Sequence, residues 1–187
     1  MSSAHPLAER LIEHLQYRPA SRVLDFAAGS GRNTAALRDA GFTVTAIGDE
    51  GAARPGALAE SDGAFAAALS THGLLHGTPQ SIAAALDAIA ERLERNGRLY
   101  ATFASVRDSR FGHGEAIGAW TFAPVEGPER GVPHTFYERE RLEAELSRAF
   151  VIESLDERGV DKTVGSWAHG DRPLQGAVHW FVVAVKR

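Results

Sequence analysis

Apolar side chains recur at helical spacing at Leu7, Leu11, Ile12 and Leu15, which predicts an amphipathic helix within residues 1–20 that Pro19 closes. The compact run RVLDFA (22–27) reads as a buried strand, NTAALRDAG (33–41) as a helix ended by Gly41, and FTVTAIG (42–48) as a second strand rich in branched residues. AFAAALST fits strand or helix by pattern, and the glycines at 73 and 77 favour a strand entering a loop. Thr78 as N-cap and Pro79 at the first helical position open a helix that carries Ile82, Leu86, Ile89 and Leu93 on one face and ends before Asn96-Gly97. RLYATFA follows as a strand. Residues 105–134, rich in glycine and proline and carrying Phe111, Trp120 and Phe122, are expected to form an irregular loop or lid. ERERLEAELSRA then reads as a helix, FVIESLDE as a strand, and AVHWFVVAVKR as a terminal strand buried on both faces. This alternation predicts an α/β sheet with helices on both sides.

Composition narrows the choice. A chain of 187 residues, 44% hydrophobic and 24% charged, suits one globular domain, 1–187. Twenty basic against 24 acidic residues give a net charge of −4, which favours neither nucleic acid nor an anionic membrane as partner. The absence of cysteine excludes disulfides, thiol nucleophiles and thiolate metal sites, and fits a cytoplasmic location. The N-terminus lacks the apolar core of a signal peptide, and the uncharged stretch 63–86 is broken by His72, Gly73, His76, Gly77 and Pro79, so no membrane span is expected.

The chemistry concentrates in VLDFAAGSGRNT (23–34), where a strand meets a glycine-rich turn and a helix start. Glycine there admits positive φ and close approach of a ligand to backbone, and the helix start offers unpaired N–H groups to a carboxylate or phosphate. Such turns also occur as tight strand–helix packing, and that reading stays open. The segment 23–47 resembles the first motif and second strand of class I S-adenosylmethionine-dependent methyltransferases, particularly the small-molecule branch that includes tellurite-resistance-type enzymes. AFAAALSTHGLLHGTP and LERNGRLYATFAS resemble that family's fourth-strand motif and fifth-strand unit, and HTFYERERLEAEL, FVIESLDE and AVHWFVVAVKR its late helix and closing strands.

The resemblance implies a Rossmann-like three-layer sandwich, mostly parallel, with an antiparallel C-terminal strand. It implies S-adenosylmethionine as cofactor and a small-molecule methyl acceptor as partner. Carried over residue by residue, it implies that Asp25, Ala27, Gly29 and Gly31 cradle the methionine part of the cofactor, with Ala27 where a glycine is usual. Arg32 and Asn33 are candidates for the cofactor carboxylate, with solvated first-turn residues as the alternative. Ser70 and Thr71 match the segment facing the methyl donor. The family's ribose-binding acid falls at Gly48 here, and Asp49 is its best substitute.

Residues 49–64, 16 in number, stand where the family fits a helix, a whole strand and a second helix, so one strand of the usual seven is expected to be absent. Sixteen extended residues span at most about 53–58 Å, ample for the return path. The second strand then becomes an exposed edge and a place for homodimer formation. His72 and His76 are the candidate catalytic bases, with hydrogen-bonded loop histidines as the alternative. No metal site is expected, because their spacing offers two ligands without an acidic or cysteine partner. His113, His134, His169 and His179 are expected to serve packing, and Trp120 and Phe122 packing or a substrate lid. Methyl transfer is the leading function. A noncatalytic binding or dimerisation module with a degenerate cofactor pocket is the second reading. A nicotinamide-dependent dehydrogenase is disfavoured because GSGRNT lacks the last glycine of G-x-G-x-x-G.

Overall fold

The computed structural model describes residues 4–48, 58, 64–160 and 175–187. Helix α1 (Pro6–Leu15) buries Leu7, Leu11 and Leu15, as the leucine spacing requires. It is followed by β1 (Arg22–Phe26), α2 (Arg32–Asp39), β2 (Thr43–Ile47) and β3 (Phe65–Ser70). A 3₁₀ turn (Gly73–Leu75) leads to α3 (Pro79–Arg92) and β4 (Leu93–Ser105). The strands β5 (Glu115–Gly118), β6 (Thr121–Ala123) and β7 (His134–Tyr137), helix α4 (Arg139–Leu146), β8 (Phe150–Gly159) and β9 (Val178–Lys186) complete the described chain.

Strands β2, β1, β3 and β4 lie side by side and parallel. Beyond β4 the sheet continues through β9, antiparallel to it, and then β8, antiparallel to β9. β7 pairs parallel with the end of β4, so the described strands form one nine-stranded sheet in which β2 pairs only with β1. Most of the 49–64 segment, with Asp49 and the expected strand deletion, lies outside the described residues. Leu58, which is described, is buried in the core.

Alternation along each strand divides the core into two layers. Val23, Ala67, Leu69, Tyr100 and Phe181 point toward α1 and α2, packing on Leu11, Leu15 and Leu37. Leu24, Ala68, Leu99, Ala101 and Val182 point the other way, toward Ile82, Leu86, Leu142 and Leu146 of α3 and α4. The expected three-layer α/β sandwich is thus present, with β9 buried on both faces from His179 to Ala184.

One expectation is corrected and a second is refined. Helix α3 ends at Arg92 and β4 begins at Leu93, so Asn96-Gly97 lies inside the strand and not in a turn before it. The pairing register of β4 with β3 shifts between Phe65 and Ala67, and Asn96 takes φ 63°, which marks a bulge. Residues 105–134 are turns and loop over most of their length, as expected, but they also carry regular structure. They hold β5 and β6 as an antiparallel ribbon on β7, and β7 in turn extends the carboxyl end of β4. Phe111 stacks on Trp120 and meets Phe122 and Phe136 edge-on, so these aromatics form the ribbon's own small core. Buried Asp108 pins the segment to β9 by accepting from Arg110 and from the Val178 N–H, at 2.8 and 2.9 Å.

Candidate functional site

The turn after β1 is built on left-handed backbone at Ala27 (φ 57°), Gly29 (φ 51°) and Gly31 (φ 76°). The Ala28 N–H donates to the Ile47 carbonyl at 2.9 Å, and the Gly31 N–H to the Ala28 carbonyl at 2.9 Å, so β2 and the turn itself hold the loop shape. Gly31 is the N-cap of α2, and a Cβ placed there would meet nothing within 4 Å. Among the described residues nothing occupies that position. Ala27 takes the same left-handed region with a Cβ attached, a conformation that costs an L-residue about 1–2 kcal/mol.

Gly73, which the sequence reading treated only as a loop glycine, closes the far side of this turn. A Cβ on it would collide with the Ala27 Cβ and lie 2.8 Å from the Ser70 hydroxyl. The 3₁₀ turn after β3 can approach the glycine loop only because residue 73 has no side chain.

Asp25 is 1% exposed and accepts a 2.5 Å hydrogen bond from the Thr34 hydroxyl. Burial pushes its carboxyl up from the ordinary range, against the lowering effect of Thr34 and Arg38. Asn33 is buried, and both ends of its amide are engaged. Its Oδ1 accepts from the His5 N–H at 3.0 Å, and its Nδ2 donates to the Thr71 hydroxyl at 2.9 Å. It thereby ties the start of α1 and the end of β3 to the glycine turn. Arg32, at the start of α2, is partly buried, which lowers its pKa. Ser70 is wholly buried, and its hydroxyl has no hydrogen-bond partner among the described residues.

His72, in left-handed backbone (φ 70°), donates its N–H to the Thr102 hydroxyl at 2.8 Å. Its ring stands edge-on to His5 and His179, with centroids 5.8 and 5.2 Å away. His5 and His179 are both buried, and burial holds each well below the ordinary histidine range, helped by the charge of His72. His179 is therefore part of a histidine row at the carboxyl end of the sheet, where packing alone was expected.

His76 joins a second group. His76 and His134 form an isolated antiparallel bridge with ring centroids 4.7 Å apart. Glu129 reaches both rings, with Oε1 3.4 Å from His76 Nε2 and Oε2 3.1 Å from His134 Nε2. Hydrogen bonds from these two histidines hold the Glu129 carboxyl far below the ordinary range. The expectation that no acidic partner lies near His76 is corrected, because the ribbon carries Glu129 and His134 onto it. No spacing within the sequence signals that approach. His113 is exposed, and His169 lies outside the described residues.

No family model and no curated protein matches this chain. Solved structures do. One is the Burkholderia thailandensis 1,6-didemethyltoxoflavin-N1-methyltransferase with bound 1,6-didemethyltoxoflavin and S-adenosylhomocysteine, at 22% identity and TM-score 0.66 over 97% of this chain and 76% of that one. Another is an S-adenosylmethionine-dependent methyltransferase from Methanosarcina mazei, at 17% identity and TM-score 0.68 over 94% and 96%. TehB from Haemophilus influenzae aligns at 14% identity and TM-score 0.56 over 96% and 62%. The chain has the fold of these methyltransferases.

Proposed function

We propose that the protein transfers a methyl group from S-adenosylmethionine to a nucleophilic oxygen, nitrogen or sulfur of a small molecule. The observation that carries the reading is the turn after β1. It has left-handed backbone at positions 27, 29 and 31, a buried acid at Asp25, and open space above Gly31 at the carboxyl end of a parallel strand. In α/β sheets of this kind ligands sit beyond that end. A sulfonium cofactor held there would supply an already activated methyl group.

The chain's own residues have separable tasks. Gly29 and Gly31 keep Cβ atoms out of the path of the cofactor, and the α2 N-terminus presents N–H groups to its carboxylate. Ser70 offers a buried hydroxyl with hydrogen-bonding capacity to spare. Asn33 acts by position, fixing Thr71 against the turn. Arg32 is assigned to the cofactor carboxylate and Asp49 to the ribose, as the family resemblance implies. His72, which follows β3 at the carboxyl end of the sheet, is assigned as the base that takes the acceptor's proton, and His76 lies against Glu129 and His134.

The test is acceptor-dependent release of S-adenosylhomocysteine across a panel of phenols, heteroaromatic N–H compounds and thiols. Turnover with at least one is expected, and His72→Ala should lower it about 10²–10⁴-fold with cofactor affinity retained. Cofactor binding without turnover on any acceptor would favour the binding module instead.

A further inference from the structure

The group formed by His76, Glu129 and His134 asks for a positive charge at its centre. His134 Nδ1 lies 2.8 Å from the Val132 carbonyl, which can only accept, so Nδ1 carries a hydrogen. Nε2 faces a carboxylate oxygen 3.1 Å away, a contact that a second ring hydrogen or a cation held between the two atoms satisfies. His76 turns its own Nε2 toward the other oxygen of the same carboxylate, at 3.4 Å. Two nitrogen donors and a carboxylate converging in this way are satisfied by a shared cation.

We infer that His76, Glu129 and His134 form a binding site for a divalent transition-metal ion of the Zn²⁺ and Co²⁺ type. Two imidazoles and one carboxylate match the preferences of such ions, and their donor atoms all lie within 4.8 Å of one another. Donors about 2.0–2.2 Å from a tetrahedral ion are separated by roughly 3.3–3.6 Å, close to the two contacts the structure holds. The Val132 carbonyl fixes the tautomer and direction of His134, the role that outer-shell partners play around metal-bound histidine. His134 is buried at its side chain, whereas His76 and Glu129 are 29% and 23% exposed, so the site has a closed back and a front open to solvent. Three protein donors leave a tetrahedral ion one position for water or for a donor atom of a small molecule. Binding of the ion does not depend on the methyltransferase reading.

Untagged full-length protein titrated with CoCl₂ at pH 7.5 provides the test, read by visible absorption and by calorimetry. One equivalent of Co²⁺ with the intense bands of tetrahedral coordination is expected, displaced by one equivalent of ZnCl₂. Glu129→Gln and His76→Ala should weaken Co²⁺ binding more than about 100-fold, since even outer-shell partners are worth 10–100-fold. Both residues are partly exposed, and circular dichroism of the metal-free variants checks that they fold. His113→Ala, outside the group, should bind as the parent does. No Co²⁺ binding by the folded parent, or binding that Glu129→Gln and His76→Ala leave unchanged, overturns the inference and assigns the group to a proton-shared contact. Affinity for S-adenosylhomocysteine, measured on the same samples, reports on the glycine turn separately.

Discussion

Ala27 and Gly73 show how closely two loops can be made to depend on single carbon atoms. Gly73→Ala should destabilise the protein by about 1–3 kcal/mol, the range for overpacking, because the new Cβ meets the Ala27 Cβ and the Ser70 hydroxyl. Adding Ala27→Gly removes one of those obstacles and the left-handed strain at residue 27, so the double variant should recover part of the loss. Urea denaturation of the four proteins in the cycle measures this, and strict additivity would show that the loops do not touch as described. Gly31→Val answers a different question. Its side chain would enter open space, so the cost is backbone strain of about 1–3 kcal/mol with the fold kept. Binding of S-adenosylhomocysteine should be lost, and calorimetry that finds parental affinity in a variant with parental circular dichroism would make the turn purely structural. The turn that holds Asp25, Gly29 and Gly31 was legible because its shape is local to one strand, turn and helix start. Gly73 was not, since the atoms that forbid a side chain there come from the β1 turn.

At the level of elements, strands and helices followed their periodicity except where pairing overrode local signals. Asn96-Gly97 reads as a turn, yet β3 and β9 draw the flanking residues into one long strand and leave Asn96 as a bulge. Asn96→Val should therefore cost about 1–2 kcal/mol through its left-handed φ, and Asn96→Gly little, by thermal or urea unfolding. The ribbon of β5 and β6 escaped notice because its strands are short and its glycines dominate the pattern. Helix α1 and strand β9 carry a further consequence in His5 and His179. Both rings are buried with pKa values pushed well below 6.5, first by burial and then by His72, with Arg32 acting on His5 and Arg110 and His76 on His179. The folded state thus binds fewer protons than the unfolded chain below about 6.5, and stability falls on acidification. Two such rings give a slope of up to about 2.7 kcal/mol per pH unit. Asp25, with its pKa raised by burial, contributes with the opposite sign as pH rises above 3.8. Urea unfolding at pH 7.5 and 5.5 should show the loss, and a flat profile would mean that these histidines accept protons in the folded protein.

For the whole molecule, the sheet gathers at one end everything with chemical character. The glycine turn follows β1, Ser70 to His76 follow β3, and the ribbon extends β4 and delivers Glu129 and His134. Helices pack on both faces of the sheet, with two buried layers meeting at the strands. The class of fold and the glycine turn were legible, because alternation and glycine spacing are written along the chain. The meeting of His76 with the ribbon was not, since it exists only once β7 pairs with β4. The proposed function, together with the short 49–64 segment, leads us to expect little apolar burial for the adenine of the cofactor. Losing burial worth one large side chain, about 1.5–3 kcal/mol, weakens a cofactor by roughly 10–150-fold. Calorimetric titration of the unaltered protein with S-adenosylhomocysteine tests the central claim most directly. A single site with measurable but weak affinity, absent in Gly31→Val, is the predicted result; no heat of binding from the unaltered protein at millimolar ligand would contradict it.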